Sequence, residues 1–435
     1  MNVVLLSTYD LGHQPFGVAS PAAWLRRAGT GVTTMDLSRE RLREDAVIDA
    51  GLIAFYLPMH TATRLAMPVI DRVRVINPTA TIAAYGLYAQ LNEQLLRQRG
   101  VTIVLGPEAE EQLVAVAQAN PMKQSPAQTL PRLAFIQPDR SGLPPLDRYA
   151  SLQMPDGSSK VVGATDATRG CKHRCRHCPI VPVYDGQFRA VAVDVVMADI
   201  RAQVEQGAEH ISFGDPDFFN GPTHARRIVQ ALHQEFPALT YDAIIKVEHL
   251  LAHRELLPLL TATGCLFITS AVESVDDDVL AKLEKGHTRA DFLTAAALCR
   301  EAGVTLVPTF VAFTPWTTID GYMDLLRVVA DADLVSNVAP VQWGIRLLVT
   351  WQSRLLELPD IQAAIGPFDA KSLTYPWQHS DPRVDLLQRQ VMSLAGVRAQ
   401  RSREEIFETI SELAQVNLIL PSRSAIPYMN EPWYC

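Results

Sequence analysis

Short apolar runs alternate with amphipathic stretches over the first 119 residues. The runs at 2–7, 32–35, 51–56, 80–85 and 101–105 are bounded by polar or Gly/Pro breaks and predict strands. Between them, stretches such as 89–97 have the apolar spacing of a helix. A regular strand–helix alternation is typical of a doubly wound parallel sheet. Residues 1–119 are therefore predicted to form a Rossmann-like domain.

The alternation stops at 120–160, which is proline-rich and predicts a linker, and it resumes afterwards. Strands are expected at 161–166, 210–214, 241–247, 265–272, 304–313 and 338–345, with helices between them. Six such units predict an α/β (β/α)6 partial TIM barrel over 161–350, with functional loops after the carboxyl ends of its strands. Residues 351–435 are expected to form a small helical C-terminal region, with helices around 384–394 and 404–413.

The composition is that of an ordinary folded protein, with 48% hydrophobic and 20% charged residues. A net charge of −8 gives no global attraction to nucleic acid or to an anionic membrane, so a small-molecule substrate is the expected partner. The first residues lack a basic segment typical of a signal peptide, and no run of about 18 apolar residues occurs. We expect a cytoplasmic location.

Three of the six cysteines, Cys171, Cys175 and Cys178, lie within the segment TRGCKHRCRHCP and are spaced C-x3-C-x2-C. Three thiolates on one short loop can bind three irons of a [4Fe–4S] cluster and leave the fourth iron without a protein ligand. Two alternatives stay open: a zinc site completed by His173 or His177, and buried inert cysteines.

The triplet after the first barrel strand resembles the radical S-adenosylmethionine (SAM) superfamily. The resemblance implies that the open iron binds the amino and carboxylate groups of SAM, and that the reduced cluster cleaves a carbon–sulfur bond homolytically. Members often carry an aromatic residue near adenine just before the last cysteine, and His177 occupies that position here.

The same resemblance extends to later strand ends. In FGDPDFF it places Gly214 beside the methionine end of SAM, with Asp215 in place of a frequent glutamate. In SAVESVDDDVLAKLEKGHTRADF it assigns SAM binding to Glu273, with Ser270 nearby. Lys246, at the end of the third strand, is a candidate partner for a carboxylate. A simple turn at Asp215, an ordinary helix cap after Glu273 and a solvated lysine are the alternatives.

A Rossmann-like domain ahead of the barrel resembles the cobalamin-binding radical SAM enzymes. Segments AAYGLYAQLN and VLGPEAEEQL are similar to the turns that approach the corrin in that group. The cobalt-ligand motif D-x-H-x-x-G is absent, since Asp10-Leu11-Gly12-His13 does not match it. Cobalamin binding is therefore left open by the sequence.

The chain as a whole, through its final NEPWYC, resembles a subgroup of radical SAM proteins with a cysteine- or selenocysteine-rich tail, the CUAEP/CCAEP type. This subgroup in turn resembles the radical SAM enzyme of arsinothricin biosynthesis. The resemblance implies transfer of the 3-amino-3-carboxypropyl group of SAM to trivalent arsenic, with Cys435 as the catalytic thiol, because soft sulfur ligands suit soft centres. A selenocysteine codon read as a stop would explain an end at Cys435; a disordered terminal thiol is the alternative.

Four basic residues surround the triplet and suggest a docking patch for an acidic electron donor of the flavodoxin or ferredoxin type: Arg169, Lys172, Arg174 and Arg176. A solvated loop is an equal alternative. Two further functions remain beside the arsenic reaction. One is cobalamin-dependent methylation of a small natural-product precursor, and the other is a non-catalytic cluster-bearing or metal-sensing protein.

Overall fold

The computed structural model describes residues 1–119, 130, 133–396, 401–416, 418 and 425–430. Their first sheet is parallel, with the strand order β2–β1–β3–β4–β5. Its strands are β1 Asn2–Ser7, β2 Gly31–Asp36, β3 Leu52–Tyr56, β4 Thr81–Tyr85 and β5 Ile103–Val104. The accompanying helices are α1 Phe16–Arg27, α2 Glu44–Ile48, α3 His60–Ile76, α4 Leu87–Leu91, α5 Glu93–Gln98 and α6 Glu110–Ala117.

Both faces of this sheet are covered, which explains its unbroken apolar runs. In β1, Val4 and Leu6 pack into one hydrophobic cluster, and Val3 and Leu5 pack into another on the opposite face. Successive side chains of a strand point to opposite sides, so a strand with helices on both faces is apolar at every position.

The second sheet has the order β13–β12–β11–β10–β7–β6–β14. Its strands are β6 Ser151–Gln153, β7 Ser159–Thr165, β10 His210–Phe213, β11 Thr240–Ile244, β12 Cys265–Glu273, β13 Thr305–Phe310 and β14 Tyr428–Met429. Strands β7 and β10 to β13 are mutually parallel, whereas β6 and β14 are added antiparallel at one edge. A separate antiparallel pair, β8 Thr168–Gly170 and β9 Phe188–Ala190, flanks the cysteine loop.

Helices connect these strands and complete the second half of the chain. They are α7 Val181–Tyr184, α8 Val193–Glu205, α9 Pro222–Glu235, α10 Val247–Ala252, α11 Leu257–Ala262, α12 Asp277–Lys282, α13 Arg289–Glu301, α14 Ile319–Asp331, α15 Pro359–Ala364, α16 Pro382–Gly396 and α17 Arg403–Leu413. Capping boxes fix the starts of two of them, Thr288 with Asp291 at α13 and Ser402 with Glu405 at α17. The two predicted C-terminal helices are present as α16 and α17.

The prediction of six parallel barrel strands is wrong at the last one. The stretch predicted as a strand at 338–345 instead contains the 3-10 helix Pro340–Gly344, which follows another at Val335–Asn337. Pro340 stands at the start of this 3-10 helix, where its missing backbone N–H leaves no hydrogen bond unmade. Only an isolated parallel bridge, Phe313 with Arg346, continues the sheet beyond β13 in the described part of the chain. The α/β class stands, with five parallel strands in a curled half-barrel.

The edge hairpin of β6 and β7 begins inside the stretch that the sequence predicts as a linker. None of the helices in the described ranges is long and apolar enough to cross a lipid bilayer.

Candidate active site at the cysteine loop

The three cysteines lie on the loop between β8 and α7 and are free thiols. Cys175 is buried, and Cys171 and Cys178 are half-buried. Burial raises the pKa of the Cys171 thiol to about 11 and that of Cys178 to about 12, and each is raised further by the neighbouring cysteines. Thiolates held so close together in an apolar setting need a metal cation to stabilise them. This donor set fits a [4Fe–4S] cluster bound by three cysteines.

Backbone contacts fix the shape of the loop. The Arg176 N–H donates to the Leu283 carbonyl oxygen at 2.9 Å, and the Lys172 N–H donates to Asn220 Oδ1 at 3.1 Å. Asn220 Nδ2 in turn donates to the Gly170 carbonyl oxygen at 3.1 Å. The loop is thereby fastened to the segments that follow α12 and β10, so the cysteines face the carboxyl ends of the parallel strands.

Glu273 and His177 meet beside the cysteines. His177 Nε2 lies 3.2 Å from Glu273 Oε1, and Lys285 Nζ lies 3.4 Å from the same oxygen. Burial alone would raise the pKa of Glu273, but the Lys285 ammonium and His177 lower it to about 2. Glu273 has φ +70°, a strained value for a non-glycine residue. Its carboxylate is therefore held in place and ionised.

Ser270, on β12, is completely buried, and its Oγ has no hydrogen-bond partner among the described residues. His177 Nδ1 is buried without one in the same part of the chain. Buried polar atoms are normally satisfied, so unpaired ones beside a cluster loop are what a polar ligand such as SAM would complete. The residues present thus fit SAM as well as the cluster.

Asp215 lies near these residues but its carboxylate is already occupied. It is fully buried and accepts hydrogen bonds from the Ala167 N–H at 2.9 Å and from Thr168 Oγ1 at 2.5 Å. Burial raises its pKa to about 8, with Asp166 adding to the shift. Asp215 therefore holds the turn between β7 and β8. At Gly214 a Cβ would lie 2.6 Å from Asp166 Oδ1, so a side chain there would displace Asp166.

Lys246 is paired with a carboxylate of this chain. Its Nζ lies 2.9 Å from Glu248 Oε2 and 3.1 Å from His173 Nδ1.

The sequence predictions assigned no role to Lys285, Asp217 or His249. Asp217 lies two residues after Asp215 in the segment FGDPDFF, and this spacing could have indicated it as a site residue. Cys435 lies outside the described residues.

The basic patch predicted around the cysteines is largely neutralised. Arg169 is buried and paired with Glu110 at 2.6 Å, and Arg174 and Arg176 form ion pairs with Asp185 and Glu284. A docking surface for an acidic electron donor consequently has less free positive charge than the sequence suggests.

A second group of polar residues lies where the carboxyl edges of the two sheets approach each other. Asp10 follows β1, Tyr56 ends β3 and Asp166 follows β7. Burial raises the pKa of Asp10 well above its usual range and that of Asp166 to about 6, and the two carboxyls interact. All three residues nevertheless keep partial exposure to solvent. They lie close enough to interact, in the narrow space between the carboxyl edges of the two sheets.

These features define an α/β protein with a candidate cluster loop at the carboxyl ends of a parallel half-barrel. Residues 166–326 match the family model described as Radical SAM superfamily. Members use a [4Fe–4S] cluster and SAM, as the sequence predicts.

Among curated proteins, the chain is similar to a hopanoid C-3 methylase of Methylococcus capsulatus, with 24% identity over 160 residues that cover 37% of this chain and 30% of the methylase. It is also similar to a tRNA-2-methylthio-N(6)-dimethylallyladenosine synthase of the same organism, with 22% identity over 59% of this chain and 56% of the synthase. The matched part of this chain thus spans about a third of the length of the methylase and somewhat over half of the length of the synthase.

Two solved structures share the fold. The cobalamin-dependent SAM radical enzyme OxsB with aqua-cobalamin bound superposes with a TM-score of 0.70 at 13% identity, over 95% of this chain and 71% of that one. The radical SAM methyltransferase TsrM from Kitasatospora setae, with cobalamin and a [4Fe–4S] cluster bound, gives 0.68 at 15% identity, over 94% and 99%. The likeness covers both sheets.

Proposed function

We propose that this chain is a cobalamin-dependent radical SAM methyltransferase that acts on a small molecule. The observation that carries the proposal is the group of interacting polar residues between the two sheets, Asp10, Tyr56 and Asp166. The proposal assigns residues 1–119 to cobalamin, 120–160 to the connection, 161–350 to the cluster and SAM, and 351–435 to the C-terminal region. The likeness of this fold to two cobalamin-bound radical SAM enzymes supports this assignment.

The residues fit this use in their chemistry. Corrin side chains end in amides, and carboxyl and phenol groups that remain accessible are suitable hydrogen-bond partners for amides. Asp166 also touches the Gly214 position, so the space adjoins the strand end that the resemblance assigns to SAM. Bound cobalamin would supply a methyl group for transfer to the substrate. Glu273 and His177 would orient SAM, and Asp10 and Tyr56 would position the corrin against it.

The test is anaerobic reconstitution with iron and sulfide, followed by reduction with a flavodoxin-type donor, SAM and hydroxocobalamin. S-Adenosylhomocysteine together with 5′-deoxyadenosine, formed only when cobalamin is present, is the expected result. Asp10→Trp, which fills the space, should abolish cobalamin retention while the visible absorption of the cluster is kept. Asp45→Trp, at an exposed position on α2, is the matched control. Equal cobalamin retention by both variants would contradict the proposal.

The second candidate is transfer of the aminocarboxypropyl group to trivalent arsenic. It is favoured by the resemblance of the C-terminal sequence to tails that end in soft sulfur or selenium ligands, with Cys435 as the thiol. This reaction releases 5′-methylthioadenosine. The same assay with arsenite separates the two candidates, because methylthioadenosine that depends on arsenite and on Cys435 supports only the second. A non-catalytic sensor would give none of these nucleosides.

A further inference from the structure

His173, Asp217 and His249 converge beside the cluster loop. One ligand atom from each lies within 4.8 Å of the others, and this is the only such group of three found among the residues described. His173 Nε2 lies 3.4 Å from Asp217 Oδ2 and 3.2 Å from His249 Nε2, and His249 Nδ1 lies 2.6 Å from Asp217 Oδ2. Bonds of about 2.0–2.1 Å around one ion would separate ligand atoms by roughly 3.4 Å. The 3.4 Å between His173 Nε2 and Asp217 Oδ2 matches that separation, and one ring nitrogen of His249 completes a set within 4.8 Å.

The shortest of these contacts joins two buried atoms, Asp217 Oδ2 and His249 Nδ1, which lie 2.6 Å apart. A carboxylate and an imidazole this close share a proton or a cation. A bound metal ion would take the place of that proton, because ligand atoms must be deprotonated to bind a metal.

The surroundings supply outer partners of the kind metal-bound histidines use. His173 Nδ1 lies 3.1 Å from Lys246 Nζ and 3.6 Å from Glu248 Oε2, and these two groups pair with each other. A metal-bound His173 would turn its Nδ1 N–H to Glu248, since a ligating histidine commonly donates its other ring N–H to a carboxylate. Asp217 and His249 have side chains that are 2% and 4% exposed, so the set is largely closed to water.

The three residues come from three different elements. His173 lies between Cys171 and Cys175, Asp217 follows β10, and His249 is on α10 after β11. An ion held by all three would fasten the middle of the cluster loop to two strand ends. His173 contacts Asp217 and His249, so it does not complete a tetrahedral zinc site with the three cysteines.

We propose that His173, Asp217 and His249 form a second metal site, distinct from the cluster, which binds one divalent first-row transition-metal ion such as Zn²⁺ or Fe²⁺. Two imidazoles and one carboxylate are a ligand set for these ions. Its role is to position the cluster loop. This proposal does not depend on cobalamin or on the methyl-transfer reaction.

The first test removes the cluster ligands. The variant Cys171→Ser/Cys175→Ser/Cys178→Ser is titrated anaerobically with Co²⁺, and visible spectra are recorded. One equivalent bound with nitrogen/oxygen-type bands is expected, and His249→Ala added to this variant should weaken binding at least tenfold. His253→Ala is the matched control, since its ring lies 5.8 Å from that of His249 but outside the set. Equal Co²⁺ affinity with and without His249 would overturn the proposal.

A second measurement uses the full holoenzyme, in case the triple variant fails to fold. After reconstitution with iron and sulfide and exposure to Zn²⁺, metal analysis should find one zinc beside the cluster irons. His249→Ala should lose the zinc and keep the irons, whereas His253→Ala should keep both. Absence of zinc from the wild-type holoenzyme, with Fe²⁺ likewise limited to the cluster irons, would overturn the proposal.

Discussion

Gly170, directly before Cys171, shows how tightly the cluster loop is packed at a single residue. Its φ is +78°, and a Cβ there would lie 2.4 Å from Tyr184 Cδ1 and 2.6 Å from the Gln187 carbonyl oxygen. Gly157 has a similar φ of +84°, but no heavy atom lies within 4 Å of its Cβ position. An alanine would be strained by the left-handed backbone at both positions, but it would clash with neighbouring atoms only at position 170.

Gly170→Ala is expected to destabilise the fold by roughly 3 kcal/mol, because left-handed backbone strain and overpacking add together. Gly157→Ala carries the strain alone and should cost roughly 1–2 kcal/mol. Anaerobic urea unfolding measures both values, and iron analysis should show that only Gly170→Ala binds less cluster. Equal losses in the two variants would contradict this account.

At the scale of elements, the segment before β6 connects the two sheets through one buried arginine. Arg140 contacts Asp199 of α8 through two hydrogen bonds, at 2.8 and 2.9 Å, and both side chains are almost fully buried. Thr165 Oγ1 also donates to Asp199, at 2.7 Å. The neighbouring Asp139 pairs with Arg26 at 2.7 Å, but this pair is partly exposed. Asp199 therefore belongs to a buried ion pair, whereas Asp139 belongs to a partly solvated one.

Asp199→Asn is expected to lower the free energy of unfolding by about 3–5 kcal/mol, because it leaves the Arg140 charge buried without its counter-ion. Asp139→Asn should cost no more than about 1 kcal/mol, since water and salt already screen that pair. Chemical unfolding of both variants at neutral pH makes the comparison. A small effect at Asp199 would show that Arg140 finds another partner.

Part of this architecture could be predicted from the sequence. The apolar runs placed the five strands of the first sheet, and the C-x3-C-x2-C spacing indicated the cluster loop, because both are local patterns. The segment around Pro340 shows where periodicity fails, since a short apolar run predicts a strand and a 3-10 helix equally well. The meeting of Asp217 with His249, or of Arg169 with Glu110, depends on strand order. Residues so far apart give no local signal.

At the scale of the whole molecule, the space between the sheets brings together acidic groups from both halves of the chain. Asp166 has a pKa raised to about 6, first by burial, which Arg169 and Arg140 oppose. The charged groups that face it are Arg169, Arg140, Asp199, Glu110, Asp10 and Asp215. The usual value for an unfolded aspartate is about 3.9. The folded state therefore binds more protons than the unfolded state between these two values.

It follows that the free energy of unfolding falls as the pH rises from about 4 to 6, and that Asp166→Asn removes this fall. The stability of the variant relative to the wild type should increase across that interval by about 2 kcal/mol, after allowance for partial exposure. Urea unfolding of the variant and the wild type at several pH values measures this increase in relative stability. Asp156→Asn, on an exposed turn, should show no such increase across the same interval. A flat profile for Asp166→Asn would contradict the buried position of this carboxyl.

The ion pair of Arg169 and Glu110 has a consequence for how this chain can be divided. Arg169 lies two residues before Cys171, and it is enclosed by Glu110 of α6, Ser20 of α1 and the ring of Phe16. A half-barrel expressed without residues 1–119 would leave this guanidinium with neither its counter-ion nor its covering ring. Cutting the chain between its two sheets would therefore damage the strand that introduces the cysteines. The two halves are not interchangeable modules, and grafting a different first half would require a matching acid opposite Arg169.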